Sequence, residues 1–177
     1  THAKMATMLK RNSSENMPTI VDMPAPELKK AKSTETAKSV VALSGELRAA
    51  WGKGEFNSGD VDAALAKYYT TDVLIDASPA AHSGVAMYKK HNGLAGVKAW
   101  FDWVASFKLE DIEISMVAGE KENICLLRMS ANATYTPTGK SAFFSAFQIF
   151  EFEGEKSAKQ TFAVYNPAAI AAIIRTE

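Results

Sequence analysis

Four consecutive segments, 111–117, 123–135, 141–152 and 158–165, read with a period of two and are separated only by turn-length stretches. Side chains that alternate in this way point to opposite faces of a strand. Between the segments lie "AGEKEN", "TPTGK" and "EGEK", rich in residues that favour tight turns. Connections so short join antiparallel neighbours, because a parallel pair needs a crossover of about a dozen residues or more. The four segments therefore read as a meander. The third, "SAFFSAFQIFEF", constrains it most. Its even face is Ala142, Phe144, Ala146, Gln148, Phe150 and Phe152, and its odd face is Ser141, Phe143, Ser145, Phe147, Ile149 and Glu151. Both faces are largely apolar, so both call for cover, and one amide interrupts the even row.

The first half of the chain has helical spacing instead. From about Ala37, the residues Val40, Leu43, Leu47, Ala50 and Trp51 form one stripe. Asp60 is placed to cap a second helix carrying Val61, Ala64, Leu65, Tyr68 and Tyr69. "DVLID" (72–76) is a short strand, and "ASPAAHSGVAMYKKHNG" an irregular connection suited to a rim or lid. Leu94, Val97, Trp100, Phe101 and Val104 define a third helix. Asn166 and Pro167, as cap and first helical residue, open a short C-terminal helix with Ile170, Ile173 and Ile174. Helices gathered before a hairpin-linked sheet mean an α+β fold. The expected form is a strongly curved antiparallel sheet wrapped around three helices, with room for a pocket between them.

Residues 1–35 differ from this body. They hold no aromatic and no glycine but three of the six prolines, so they read as an extended arm ahead of a domain spanning 36–177. Residues 1–14 carry Lys4, Lys10 and Arg11 and no acid, which resembles the tail of an organelle transit peptide. A plastid or mitochondrial lumen therefore stands beside the cytoplasm as an expected compartment. The single cysteine, Cys125, rules out an intrachain disulfide and suits a reducing compartment rather than secretion. A formal net charge of zero gives no pull toward nucleic acid or anionic membrane. No apolar run reaches the ~20 residues of a membrane-spanning helix.

The element order, with "GDVDAALAKYYTTDVLID", "HNGLAGVKAWFDWV", "YTPTGKSAFFSAFQIFEFEGEK" and "VYNPAAIAAI", resembles the nuclear transport factor 2-like superfamily from about Ala37 to Arg175. SnoaL-like polyketide cyclases and ketosteroid isomerases belong to it. The resemblance implies a cone whose mouth takes a small, mostly apolar molecule, and dimerisation through the outer sheet face. In the isomerases a carboxylate at the end of the first strand moves the proton. Counting forward from "GD" places Asp76 there, whereas counting back from "TTD" places Ala77. The two point to opposite faces, and Asp76, which shares a face with Leu74, is the candidate. "FQIFEFEG" places Gln148 where those enzymes hold a protonated acid in the oxyanion hole. An amide donates at any pH. The partner tyrosine's place falls near Leu47, which cannot donate.

The candidate catalytic residues are thus Asp76 as base, Gln148 as donor to a ligand oxygen or ordered water, and Tyr68 or Tyr69 as auxiliary donor. The alternative for Gln148 is a bond to a neighbouring side chain, since most buried polar groups are paired within the protein. Trp100, Phe144 and Phe150 are expected to line the pocket, with His91 from the irregular connection. His82 and His91 lie nine residues apart without a third ligand at helical spacing, so no metal is implied, and no cofactor motif occurs. "GKGEFNSG" does not fit a dinucleotide turn, and "TGKS" joins two strands and so is a hairpin turn rather than a phosphate loop. Two functions follow as expectations. One is a metal-free and cofactor-free isomerase, cyclase or lyase on an apolar carbonyl compound. The other is a non-catalytic subunit that docks in a larger assembly through the outer sheet face. The resemblance adds a metal-free carbonic anhydrase-like activity as a third.

Overall fold

The computed structural model describes residues 38–176, so the reading of 1–35 as an arm lies outside the described residues. The chain runs α1 (Val40–Gly52), α2 (Val61–Tyr68), β1 (Tyr69–Asp76), a 3-10 turn (Ser78–Ser83), β2 (Lys90–Asn92), α3 (Gly93–Val104), β3 (Phe107–Ala118), β4 (Ile124–Tyr135), β5 (Lys140–Glu153), β6 (Lys156–Val164) and α4 (Pro167–Ile174). The six strands form one curved, unclosed sheet in the order β2-β1-β6-β5-β4-β3. β3 to β6 are the expected antiparallel meander. The one parallel pair among the described residues is β1 with β6, because the chain returns to β1 only after passing around the whole sheet. β2 and the 3-10 turn fall inside the stretch read as irregular.

The helices begin where their caps say. Ser39 accepts a hydrogen bond from the Ala42 amide at 3.2 Å, and Asp60 accepts one from Ala63 at 3.0 Å. Asn166 occupies the cap position of α4, but its side chain makes no capping bond; Pro167 alone marks the start. Tyr69 is the first residue of β1 rather than the last of α2. Its apolar ring closes a buried aromatic group with Phe56 and Phe101, whose centroids lie 4.6 Å apart.

Two turns show why the meander is tight. Gly154 has φ +59°, and Glu153 pairs with Lys156 across a two-residue loop. A positive φ at the first loop position is the hairpin geometry that glycine accepts without strain. At the other end, Thr138 donates to the Ile173 carbonyl at 2.6 Å and ties the β4–β5 turn to α4.

The sheet bends at a bulge in β3. Register shifts between Glu110 and Glu113, and Asp111 there has φ +52°. The extra residue reverses the alternation. Leu109 is paired with Ala133 on the concave side before the bulge, whereas Ile114 and Met116 pair with Met129 and Leu127 on that side after it. Beyond the bulge the strand is a thinly covered sheet edge, and Ile112 and Ile114 remain exposed.

The concave face carries the core. α1 packs over β3 and β4, α3 over β1 and β2, and α4 against β5 and β4. The even face of β5 turns inward, with Phe144, Ala146, Gln148, Phe150 and Phe152 all buried. Its odd face turns outward, where Phe143 is 63% and Phe147 50% exposed.

Asp76 ends β1 on the outward side. It pairs with Thr161, which pairs with Ile149, whereas Ile75, Gln160 and Phe150 lie together on the concave side. The Asp76 carboxylate accepts from the Ser78 hydroxyl and the Ser78 amide, at 2.5 and 3.0 Å, and starts the 3-10 turn. The Ser78 hydroxyl, with help from the Ser78 amide and Lys90, holds its pKa below the usual 3.8. The folded value therefore lies below the unfolded one, so the stabilisation is complete above about pH 4 and fades as pH falls through the folded value. Asp76→Asn is expected to cost ~1 kcal/mol at pH 7, roughly 2–4 °C in melting temperature, with the gap closing as pH falls through the folded value. Thermal melts of both proteins across pH 2.5–7 check this; a gap that persists at the acid end would refute the ionic account.

Candidate functional site

Between the concave face and the helices lies a cavity of about 80 Å³, counted as space open to the centre of a water molecule. That is several times what one water needs. Its wall is mainly aromatic. α1 supplies Leu47, Arg48 and Trp51; α3 supplies Trp100, Phe101, Trp103 and Val104; and the strands supply Phe144, Phe150 and Phe162 among others. Trp100 meets Phe162 edge-on at 5.1 Å and Trp103 at 5.2 Å, so the rings support one another.

Four polar side chains interrupt this wall: Gln148, Gln160, Tyr88 and Arg48. Gln148 lies on β5 and Gln160 on the adjacent β6, one step apart on the same face. The Gln160 Nε2 group donates to Gln148 Oε1 at 3.0 Å. That bond occupies the Gln148 carbonyl and leaves its NH2 group for another acceptor. Gln160 Oε1 is buried without a partner among the described residues. An orphaned acceptor of this kind costs about 1–3 kcal/mol. Tyr88 packs edge-on to Trp103 at 5.6 Å, and burial raises its phenol pKa well above the ordinary range, so it is a neutral hydroxyl. No carboxylate or imidazole lines the cavity among the described residues.

The residues expected to act together are therefore not brought together. Of the four catalytic candidates only Gln148 reaches the cavity. Asp76 faces the other side of the sheet, and the concave position beside it holds Ala77, fully buried and without an ionisable group. The period of a strand explains this: the two registers left open by the sequence differ by one residue and so by one face. Tyr68 packs edge-on against Phe56 outside the cavity, and its hydroxyl accepts from Lys67 Nζ at 3.0 Å. Tyr69 is buried away from the cavity, and its hydroxyl has no partner among the described residues. Burial drives its pKa far upward, so it stays neutral.

Trp100, Phe144 and Phe150 line the wall as expected. His91 does not. It belongs to β2, is 5% exposed, and lies against Trp100 at 5.4 Å. Its Nε2 donates to the Met87 carbonyl at 2.9 Å, which makes it a satisfied core histidine. No cluster of three His, Cys, Asp or Glu side chains with metal-binding proximity occurs among the described residues.

Three wall residues escape a reading of the sequence for catalytic types. Gln160 repeats the logic of Gln148, an amide in the inward row of "SAKQTFAV". Arg48 interrupts the α1 stripe between Leu47 and Trp51. Tyr88 comes from the irregular connection, where periodicity gives no face.

The fold has many known counterparts. A Burkholderia pseudomallei protein of unknown function, described as NTF2-like, superposes with TM-score 0.60 at 15% identity, over 78% of this chain and 99% of that one. A Pseudomonas putida protein provisionally named a polyketide cyclase gives 0.56 at 19% identity, over 78% and 99%. A Bacillus subtilis protein provisionally named an isomerase gives 0.58 at 12%, over 74% and 92%. At these identities the likeness speaks for the fold. No helix among the described residues is long and apolar enough to cross a membrane. Among curated proteins no sequence matches. The SnoaL-like domain profile matches residues 49–160, which spans α2, β1 to β5, the first half of β6 and the wall residues from Trp51 to Gln160, and the chain therefore belongs to the SnoaL-like family, within the NTF2-like superfamily.

Proposed function

We propose that the protein binds a small, largely aromatic or apolar molecule that presents an oxygen acceptor, and that the Gln148 amide holds that oxygen. The observation that carries this reading is the Gln148–Gln160 bond, which leaves one donor group free on an otherwise aromatic wall. In so dry a setting a single donor decides the ligand's orientation. The same donor would stabilise negative charge developing on a carbonyl oxygen, the contribution an isomerase, cyclase or lyase would draw from it. Proton removal by Asp76 has no support, because that carboxylate is on the far face of the sheet. The reading is thus one of binding and carbonyl polarisation, with any proton transfer left to the ligand's own groups or to water.

A second reading concerns the outer sheet face. Phe143, Phe147, Leu126 and Val117 are exposed on neighbouring strands, with Arg128 opposite Phe147. Apolar side chains grouped on one sheet face favour burial against another surface. We take that surface to be a second copy of the same face, in line with the docking role expected from the sequence.

Two measurements test these readings. Titration calorimetry with 2-acetylnaphthalene and its hydrocarbon isostere 2-isopropenylnaphthalene is expected to favour the ketone. Gln148→Leu should weaken the ketone by about fivefold to tenfold, the value of one buried hydrogen bond, with little effect on the hydrocarbon. Equal binding of the two compounds would rule out a role for the amide. For the outer face, Phe147→Asp is expected to convert a dimer to a monomer in sedimentation velocity at micromolar concentration. A wild-type protein that sediments as a monomer would end that proposal.

A further inference from the structure

Arg48 is the one formal charge on the cavity wall among the described residues. It projects from α1 one turn before Trp51, and its guanidinium carbon lies 3.9 Å from the centroid of that ring. A guanidinium over a ring at this distance is held by its charge against the π face, and its N–H donors remain able to reach other groups. Arg48 is half-buried. Its Nε is buried without a partner, and no carboxylate lies within ion-pair distance of the side chain among the described residues. Burial lowers its pKa to about 10, in keeping with a guanidinium that has lost part of its water.

A partly desolvated cation without an opposite charge is an unfavourable arrangement in a folded chain, and most buried charges have a partner of opposite sign. Here no acidic side chain among the described residues takes the partner's place. The rest of the wall offers only neutral groups, the two amides, the Tyr88 phenol and the aromatic rings. With no negative side chain on the wall among the described residues, Arg48 makes the cavity electropositive, and the low dielectric of an aromatic wall strengthens that field.

We infer that the cavity takes its ligand as an anion, a small aromatic or apolar carboxylate whose charged end meets the Arg48 edge and whose body packs between Trp51, Trp100 and Phe162. This inference rests on the binding role proposed above and narrows it from any oxygen-bearing molecule to a carboxylate. The planar fork of an arginine suits a carboxylate, which can accept two parallel N–H bonds.

The test compares 2-naphthoate with 2-acetylnaphthalene, its neutral isostere, on the full chain at pH 7.5 by titration calorimetry. The wild type should bind the carboxylate about tenfold or more tightly than the ketone, as charge-assisted hydrogen bonds are about twice as strong as neutral ones. Arg48→Gln should bring the ratio of the two affinities close to one, and Arg48→Lys should restore part of it. Melting temperatures show whether each variant is folded, and the wild-type ratio alone decides if either is not. If the ketone binds at least as tightly as the carboxylate, the anion inference falls and the general pocket reading stands. The inference falls likewise if folded Arg48→Gln keeps the full preference, which would make Arg48 a packing partner of Trp51 only. If neither compound binds, both the inference and the reading beneath it are overturned.

Discussion

β5 lies inside the sheet between β4 and β6 and carries large apolar side chains on both faces, of which the concave one is buried and the outer one exposes Phe143 and Phe147. On the concave side Phe144, Phe150 and Phe152 are covered by the helices and by the rows of β4 and β6. Curvature is what makes that cover possible. The bulge at Asp111 turns β3 so that Phe107 and Leu109 reach the cavity wall while the later half of the strand runs on as an exposed edge. A flat sheet of this length would leave the helices on one side with no enclosed volume between them. The cavity is therefore a result of how β5 is buried, and the polar residues in it are exceptions that the packing has to accommodate.

Those exceptions differ in kind. Gln148 and Gln160 are neutral and meet each other, so one hydrogen bond reduces the cost of burying two amides. Arg48 is charged and has a ring beside it but no counter-charge among the described residues. The first arrangement is half satisfied, because Gln160 Oε1 keeps no partner among the described residues. The second lacks even that, and it is the stronger support for the anion proposed above. Tyr69 and Ser157 offer a contrast on the other side of the core. Both hydroxyls are buried and unpartnered among the described residues, yet neither faces the cavity, so they say nothing about a ligand.

Much of this architecture could be read from the chain because it depends on periods. The switch from helical spacing to alternation marks where the helices stop and the meander begins, and the alternation of 141–152 sorts Phe144, Gln148 and Phe150 from Phe143 and Phe147 without reference to any other segment. What could not be read depends on single-residue offsets. Asp76 and Ala77 differ by one position and hence by one face, and only pairing with β6 settles which of them looks inward. The bulge in β3 is the same problem in another place. The position of His91 is hidden for a different reason: a three-residue strand paired to β1 is too short to show a period, and its burial comes from tertiary contact with Trp100.

The offset at the end of β1 has a chemical consequence. The resemblance to ketosteroid isomerases implied a proton-moving carboxylate at the inward position there. Here that position is Ala77, and the neighbouring acid is engaged by the Ser78 turn outside the sheet. A carboxylate inside the cavity would neutralise Arg48 and repel an anionic ligand. Its absence from the wall among the described residues and the lone cation there are therefore mutually consistent. A cavity that attracts a negative group, as proposed above, gains from having no acid of its own, and in exchange the described wall supplies no strong base. On that proposal the one full charge of the described wall serves attraction and the free amide orientation.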